Sequence, residues 1–445
     1  MAFKITIVGG GGVRTPLLIH GLANAGLDIR TVVLYDSDPL RAQTMAKLSQ
    51  SVAPFPVVAS NEFERAVEGA SYVLSSIRVG GIAARARDER IAIEHGFAGQ
   101  ETTGPGGAAM ALRTVPVVLD QVRMIEKLAP EAWYISFTNP AGLISQAVSA
   151  HTKIRAIGIC DTPSELLHRI AAAFGGPVIC DYAGLNHLGW VRRVVHEGVD
   201  VTQQLLDDDR LLSSLYPAHL FDPALIRTLG LIPTEYLFFY YCQQRALANQ
   251  RQAGSTRGAE IEKLNRDLFS SLASGTPAES LQTYRLYLMR RNASYMKLEA
   301  ESGSAFHSYD DQPDPFAAAT GYHRIAVEVL LGLNGDVPRE VVLNVPNQGS
   351  VEDLEADDVV EVPCLVTRSG PVPKPTGRLP EAVRGLVFAV KGYERTLIKA
   401  AVEKSLPLAQ LALLQYPIVS EWEPAGHLLR SLIAADRDLT YLVTR

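Results

Sequence analysis

The stretch FKITIVGGGGVRT, residues 3 to 15, followed by TVVLYD, residues 31 to 36, decides the fold. Phe3 to Val8 is β-rich and runs into Gly9, Gly10, Gly11 and Gly12, after which Pro16 to Ala25 is apolar and suits a helix. A glycine run at a strand-to-helix turn lets backbone N–H groups approach a pyrophosphate, and the helix start adds a favourable dipole. Gly9 and Gly11 form a G-x-G core that Gly12 and Val13 extend, with Arg14 where a third glycine is usual. Asp36 closes the second strand, about where an acid meets the adenosine ribose hydroxyls. An acid there favours NAD over NADP, with Arg41 as the nearby residue that would soften the preference.

Outward from this unit the alternation continues. The pattern predicts a helix over Asn61–Ala70, a strand over Tyr72–Ile77, a helix over Val115–Leu128, and a strand over Trp133–Phe137. A helix over Gly142–His151 and a strand over Ala156–Ile159 follow. Apolar strands alternating with helices across short loops indicate an α/β, Rossmann-like, doubly wound parallel sheet covered on both faces. After about residue 180 the texture changes to long helical stretches (Thr234–Ala248, Gly258–Leu272), strands at Glu340–Val345 and Val359–Val366, and a helical tail over Glu381–Leu413 broken near Pro407. The expected division is a cofactor domain over residues 1–180 and a mixed α+β domain over 181–445. Polar loops are expected near 302–315 and 367–378.

The totals fit a chain of 445 residues with two packed units: 47% apolar, 20% charged. A formal net charge of -6 leaves no basic excess for nucleic acid. The four cysteines, Cys160, Cys180, Cys242 and Cys364, form no CxxC pair. With no signal-peptide pattern, they point to a reducing cytoplasm. No apolar run reaches the roughly 18 residues of a membrane span.

Several polar motifs are too unusual for packing alone. GQETTGPGG (99–107) is glycine-dense between helical sequences; FTNP (137–140) places Asn139 at a strand end; GIC (158–160) ends the next strand in a thiol; GLNHLGW (184–190) sets Asn186 and His187 side by side. Carboxyl ends of strands line the ligand crevice of a doubly wound sheet, so Asn139 and Cys160 should face the nicotinamide end of the cofactor. The 27-residue interval between Cys160 and His187 carries no metal signature of its own, and each residue also suits a packed core.

These motifs, together with IVGGGG, RVGGIAARARDE (78–89), PTEYLFFYY (233–241), NVPNQGSVEDLEADDVVEVP (344–363) and VKGYERT in the tail, resemble glycoside hydrolase family 4, the NAD- and metal-dependent 6-phospho-glycosidases. The resemblance spans nearly the whole chain and implies a lactate/malate dehydrogenase-like architecture in homodimers or homotetramers. It implies Cys160 and His187 as ligands of a divalent metal, usually Mn²⁺, and Tyr236 as catalytic base. It implies Asn139 and Asn186 near the sugar and metal, and Arg85 and Arg257 on a phosphorylated sugar. The implied route is oxidation of C3 by NAD, deprotonation of C2, elimination of the aglycone from C1, water addition and re-reduction. NAD-dependent glycosidases stand apart from two-carboxylate hydrolysis. A tyrosine with an ordinary pKa near 10 needs a neighbouring cation to act as base at neutral pH.

The chain departs from the family pattern at three places. Asp161 follows Cys160 where β-specific members often carry Asn; it is either the general acid of α-specific members or a helix cap. Arg14 sits in the glycine turn, facing a cofactor phosphate, the sugar-phosphate site or solvent. Arg290-Arg291-Asn292-Ala293-Ser294-Tyr295 lacks a usual glycine pair. The leading expectation is a 6-phospho-β-glucosidase. The alternatives are the same chemistry on α-linked or unphosphorylated sugars, a 2-hydroxyacid dehydrogenase, and a non-catalytic sugar-phosphate sensor.

Overall fold

The computed structural model describes residues 2–216, 220–299, 313–318 and 320–443. Most of the polar loop expected near 302–315 therefore lies outside the described residues.

The amino-terminal strands are β1 (Phe3–Val8), β2 (Ile29–Tyr35), β3 (Val57–Ser60), β4 (Tyr72–Ser75), β5 (Trp133–Ser136) and β6 (Arg155–Gly158). They pair in parallel in the order β3-β2-β1-β4-β5-β6. This is the doubly wound order, with its crevice where the winding reverses between β1 and β4. Ile5, Val32, Leu34, Val73, Leu74 and Ile135 are fully buried, as strands covered on both faces require.

Helices α1 (Thr15–Ala23), α2 (Pro39–Gln50), α3 (Phe63–Val67), α4 (Gly81–Glu94), α5 (Gly104–Leu128), α6 (Ala141–His151) and α7 (Thr162–Ala173) connect these strands. The predicted helix over Asn61–Ala70 shrinks to α3, because Glu68 (φ -54°, ψ 124°) and Gly69 (φ 65°) leave the helical region. In contrast, α5 starts well before Val115. Pro105 occupies its first turn, and the Gln100 side chain accepts from the backbone N–H groups of Thr102 and Thr103 just ahead of it. A Cβ at Gly106 or Gly107 would lie 2.3 Å from the carbonyl oxygen of Gln100 or Thr102, so the paired glycines let residues 100–103 fold onto the helix start.

The carboxyl-terminal half extends the same sheet. Here β7 (Val178–Leu185) and β8 (Leu188–His196) form a hairpin, with β9 (Val199–Asp200) and β10 (Ile232–Pro233) on its far side. Strands β11 (Arg339–Pro346) and β12 (Val359–Thr367) are antiparallel and fill the space between β6 and β7, and β13 (Gly370–Pro373) edges β12. The stretch expected as one helix over Thr234–Ala248 is a 3₁₀ turn, Glu235–Leu237, then Phe238–Tyr241 and Gln243–Ala253, because Cys242 (φ -127°, ψ 33°) breaks the run. The tail helix ends at Glu403 and restarts at Leu406 with Pro407 in the first turn, where proline is tolerated.

Candidate active site

The glycine turn is held by the acid predicted beside it. Asp36 Oδ2 accepts from the Gly11 N–H at 2.9 Å, and a Cβ at Gly11 would lie 2.8 Å from that oxygen. Gly9 has φ 84°, and a Cβ there would meet the Ser76 carbonyl at 2.4 Å. The Val13 carbonyl accepts from Tyr284 Oη at 2.7 Å. The Arg41 guanidinium stacks 4.2 Å from the Phe269 ring, and its buried Nε has no hydrogen-bond partner among the described residues. Asn139 stands half-buried past the end of β5.

At the carboxyl end of β6, the Cys160 Sγ lies 3.4 Å from His187 Nε2. His187 is the second residue of the two-residue turn between Leu185 and Leu188 that joins β7 to β8, and it has φ 60°. Its Nδ1 lies 3.0 Å from Thr102 Oγ1, whose own proton goes to Gln100 Oε1 at 2.9 Å. The Thr102 oxygen therefore accepts from Nδ1–H, which leaves the Nε2 lone pair aimed at sulfur. Burial lowers the His187 pKa to about 4, so the ring is neutral at neutral pH. The Tyr236 ring stacks on His187 with 3.8 Å between centroids and 4° between planes. The backbone fixes that stack: Pro233 pairs with Trp190, and the Thr234 N–H donates to the Gly189 carbonyl.

This donor set fits a divalent cation. A sulfur and a nitrogen bound to one ion stand about 3.1 to 3.6 Å apart for typical bond lengths and angles of about 90 to 110°. Among the described residues no cluster of three or more His, Cys, Asp or Glu side chains forms, so these two side chains leave coordination positions open for a substrate. The surroundings are acidic. Burial, then Glu361 and Asp161, pushes the Cys160 thiol well up; burial, then Glu101, Glu235, Cys160 and Asp161, does the same to the Tyr236 phenol. A cation would oppose both shifts.

Asp161 occupies the N-cap position of α7, yet its side chain makes no capping hydrogen bond. It faces Arg14 instead, Oδ2 to Nη1 3.4 Å, and Arg14 stacks over Tyr322. Arg85 is buried between Glu89 (2.7 Å) and Glu101 (2.8 Å). Arg78 also pairs with Glu101; burial alone would raise that carboxyl, but Arg85, Arg78 and Arg291 hold it well below the usual range. Arg257 donates to the Ser294 carbonyl and hydroxyl and to the Arg291 carbonyl. Burial, then Arg291 and Arg85, lowers its pKa to about 10. Asn186 donates to Glu361 at 3.1 Å.

Thus the fold brings Cys160, His187 and Tyr236 into contact, keeps Gly11, Asp36 and Arg41 together at the glycine turn, and sets Arg85 and Arg257 in one basic group. Sequence reasoning assigned nothing to Thr102, Glu101, Glu235, Arg78 or Glu361. All but Arg78 and Glu235 sit in motifs 99–107 and 344–363, whose density of polar residues in apolar surroundings was the available signal.

A family model described as family 4 glycosyl hydrolase matches residues 4–175, and the model of that family's C-terminal domain matches residues 182–419. The chain is 31% identical to the 6-phospho-beta-glucosidase BglT of Thermotoga maritima, over 99% of this chain and 100% of that one. The solved structure of the Thermotoga maritima 6-phospho-beta-glucosidase with manganese, NAD⁺ and glucose-6-phosphate superimposes with a TM-score of 0.82 at 28% identity, covering 98% of this chain and 99% of that chain. A 6-phospho-alpha-glucosidase from gut microorganisms, in complex with NAD and glucose-6-phosphate, gives 0.79 at 26% identity over 98% of each chain. A lactate dehydrogenase from a Medee basin deep-sea metagenome shares the fold, with a TM-score of 0.51 at 14% identity over 90% of this chain and 99% of that one.

Proposed function

The chain belongs to the family 4 glycosyl hydrolases, and on that premise we propose that it hydrolyses 6-phospho-β-glucosides by oxidation at C3, loss of the C2 proton, elimination of the aglycone, water addition and re-reduction. One observation carries the reading: Cys160 Sγ, the Nε2 lone pair of His187 and the stacked ring of Tyr236 converge at the carboxyl ends of the strands. Bound NAD and a divalent cation, Mn²⁺ by similarity, would supply the hydride exchange and the stabilisation of charge developing on the sugar.

The chain's own residues do the rest. Gly9, Gly11, Gly12 and Val13 offer the turn to the dinucleotide phosphates, Asp36 and Arg41 frame its ribose end, and Asn139 borders its nicotinamide end. Cys160 and His187 hold the cation, with Thr102 fixing the imidazole tautomer. Tyr236 takes the C2 proton. Asn139 and Asn186 orient the sugar. Arg257 and Arg85 attract its phosphate; the lowered pKa of Arg257 supports this, since an anion would relieve the crowding of positive charge. Residues 1–180 serve the cofactor, and 181–445 the substrate, metal and self-association into dimers or tetramers. Four cysteines free of disulfides support a cytoplasmic setting. Among the described residues no helix is long and apolar enough to cross a membrane.

A second reading rests on Asp161: its carboxylate is free of capping and would protonate a leaving oxygen, as suits α-linked substrates. Aryl α- and β-glucosides, with and without 6-phosphate, assayed with Mn²⁺ and NAD, separate the readings. Turnover of the 6-phospho-β-glucoside without net NADH is expected. Its absence, or steady accumulation of NADH as in a 2-hydroxyacid dehydrogenase, would overturn the proposal.

A further inference from the structure

One row of paired residues crosses the sheet beneath the site. Gly158 of β6 pairs with Asn344 of β11, Asn344 with Glu361 of β12, and Glu361 with Gly184 of β7. Gly158 stands two residues before Cys160, and Gly184 three before His187. The row therefore bridges the strand that presents the thiol to the hairpin that presents the imidazole.

The Glu361 side chain is the junction of that bridge. It is 1% exposed. Its Oε1 accepts from Asn186 Nδ2 at 3.1 Å and Asn344 Nδ2 at 3.0 Å, and its Oε2 from Tyr182 Oη at 2.7 Å. Asn186 is confined from the other side too, since a Cβ at Gly142 of α6 would lie 2.8 Å from the Asn186 Cβ. The next residue, His187, adopts φ 60°, a region that side-chain-bearing residues avoid unless their surroundings impose it. A buried carboxylate thus grips the residue immediately before a strained ligand.

We propose that Glu361 is a positioning residue for the cation site: by holding Asn186 and Asn344 it keeps the β7–β8 turn in the backbone conformation that aims His187 Nε2 at Cys160 Sγ. The inference rests on the cation role given to Cys160 and His187. Glu361 acts through hydrogen bonds accepted at a fixed place. A glutamine can reproduce them, with its carbonyl oxygen accepting from both asparagines and its amide donating to Tyr182 Oη.

The test is Mn²⁺ binding to the full chain with saturating NAD and no substrate, read from the paramagnetic resonance signal of free Mn²⁺. Glu361→Ala should weaken binding about tenfold or more, as loss of support behind a ligand does. Glu361→Gln should bind within about twofold of the parent chain, the rescue expected of a hydrogen-bond brace. Parent-like affinity in Glu361→Ala overturns the proposal, as does a glutamine variant as weak as the alanine one. If Glu361→Ala does not fold, Asn186→Ala cuts the same bond from its half-buried end, and parent-like affinity there overturns the proposal equally. A parent chain that binds no Mn²⁺, or binds it no better than His187→Ala, removes the cation reading itself.

Discussion

The Tyr236 ring lies face to face with the His187 imidazole, 3.8 Å between centroids and nearly parallel. The stack holds Tyr236 against a proposed cation ligand through its ring, so the hydroxyl can be removed while the ring contact is kept. Tyr236→Phe keeps the ring and removes the hydroxyl. Turnover of an aryl 6-phospho-β-glucoside should fall by about 100- to 10,000-fold, the usual weight of a general base, while Mn²⁺ affinity stays at the parent value. A turnover number within about threefold of the parent would remove Tyr236 from proton abstraction.

Cys160 and His187, 3.4 Å apart, are the ligands proposed for the cation, and among the described residues no third His, Cys, Asp or Glu completes a cluster with them. Prolonged chelation should therefore abolish hydrolysis, and Mn²⁺ should restore it. Cys160→Ala should bind Mn²⁺ more weakly and recover no activity at Mn²⁺ levels that saturate the parent chain. Hydrolysis that survives exhaustive chelation, with the metal assayed as absent, would count against both ligands.

The parallel half of the sheet was legible in five of its six strands, which read as apolar runs; β3 was not foreseen, and the crossover from β4 to β5 holds both α4 and α5. The sheet's extension was not legible: β11 reaches β6 through Asn344 and Gly158, residues 186 positions apart in the sequence, and no local pattern announces such a pairing. Cys160, His187 and Tyr236 stood out through the motifs they occupy, not through spacing. The functions argued for Thr102 and Glu361 depend on which loop meets which strand. Thr102 fixes a tautomer only because the start of α5 meets the β7–β8 turn. Arg85 was singled out by its motif, but its ion pairs with Glu89 and Glu101 follow from how α4 meets the loop before α5.

Arg257 carries no carboxylate partner within ion-pair distance among the described residues; burial, then Arg291 and Arg85, lowers its pKa, with Tyr295 and Glu299 opposing. A phosphate there would be met by a guanidinium whose hydrogen bonds go to neutral carbonyl and hydroxyl oxygens. Arg257→Ala should raise KM for the 6-phosphorylated substrate and leave the unphosphorylated glucoside nearly unaffected, so the preference between them shrinks about tenfold or more. An equal loss on both substrates would show that Arg257 supports the fold around Ser294 instead.

Asp161 and Arg14 pair at 3.4 Å in a partly exposed setting, with the carboxylate unused as a cap. If Asp161 protonates the departing oxygen, Asp161→Asn should do little to nitrophenyl glycosides and slow poor leaving groups by about 100-fold. The measurement is kcat/KM across aglycones of graded acidity. A uniform loss across the series would assign Asp161 to Arg14 and the wall of the site.

Glu235 offers a prediction on stability. Its Oε1 accepts from Tyr295 Oη at 3.0 Å, and its side chain is buried beside Tyr236. Burial raises its pKa from 4.5 to about 7; its own backbone N–H, Arg169 and Tyr295 oppose the shift, and Asp161 adds to it. The folded chain thus keeps a proton between pH 4.5 and about 7 that the unfolded chain has released. Such a group contributes its full stability below pH 4.5 and loses it as pH rises through about 7. Glutamine is neutral throughout and still accepts from Tyr295. Glu235→Gln should therefore match the parent near pH 4.5 and gain on it as pH rises, by up to about 3 kcal/mol above pH 7. His187 and His323, both lowered to about 4, lose stability in the opposite direction as pH falls below 6.5, but they are common to both proteins and cancel in the difference. Denaturant unfolding of the two metal-free chains between pH 5 and 8 measures it. A difference that stays flat or shrinks over that range would place an ionised carboxylate at Glu235 throughout.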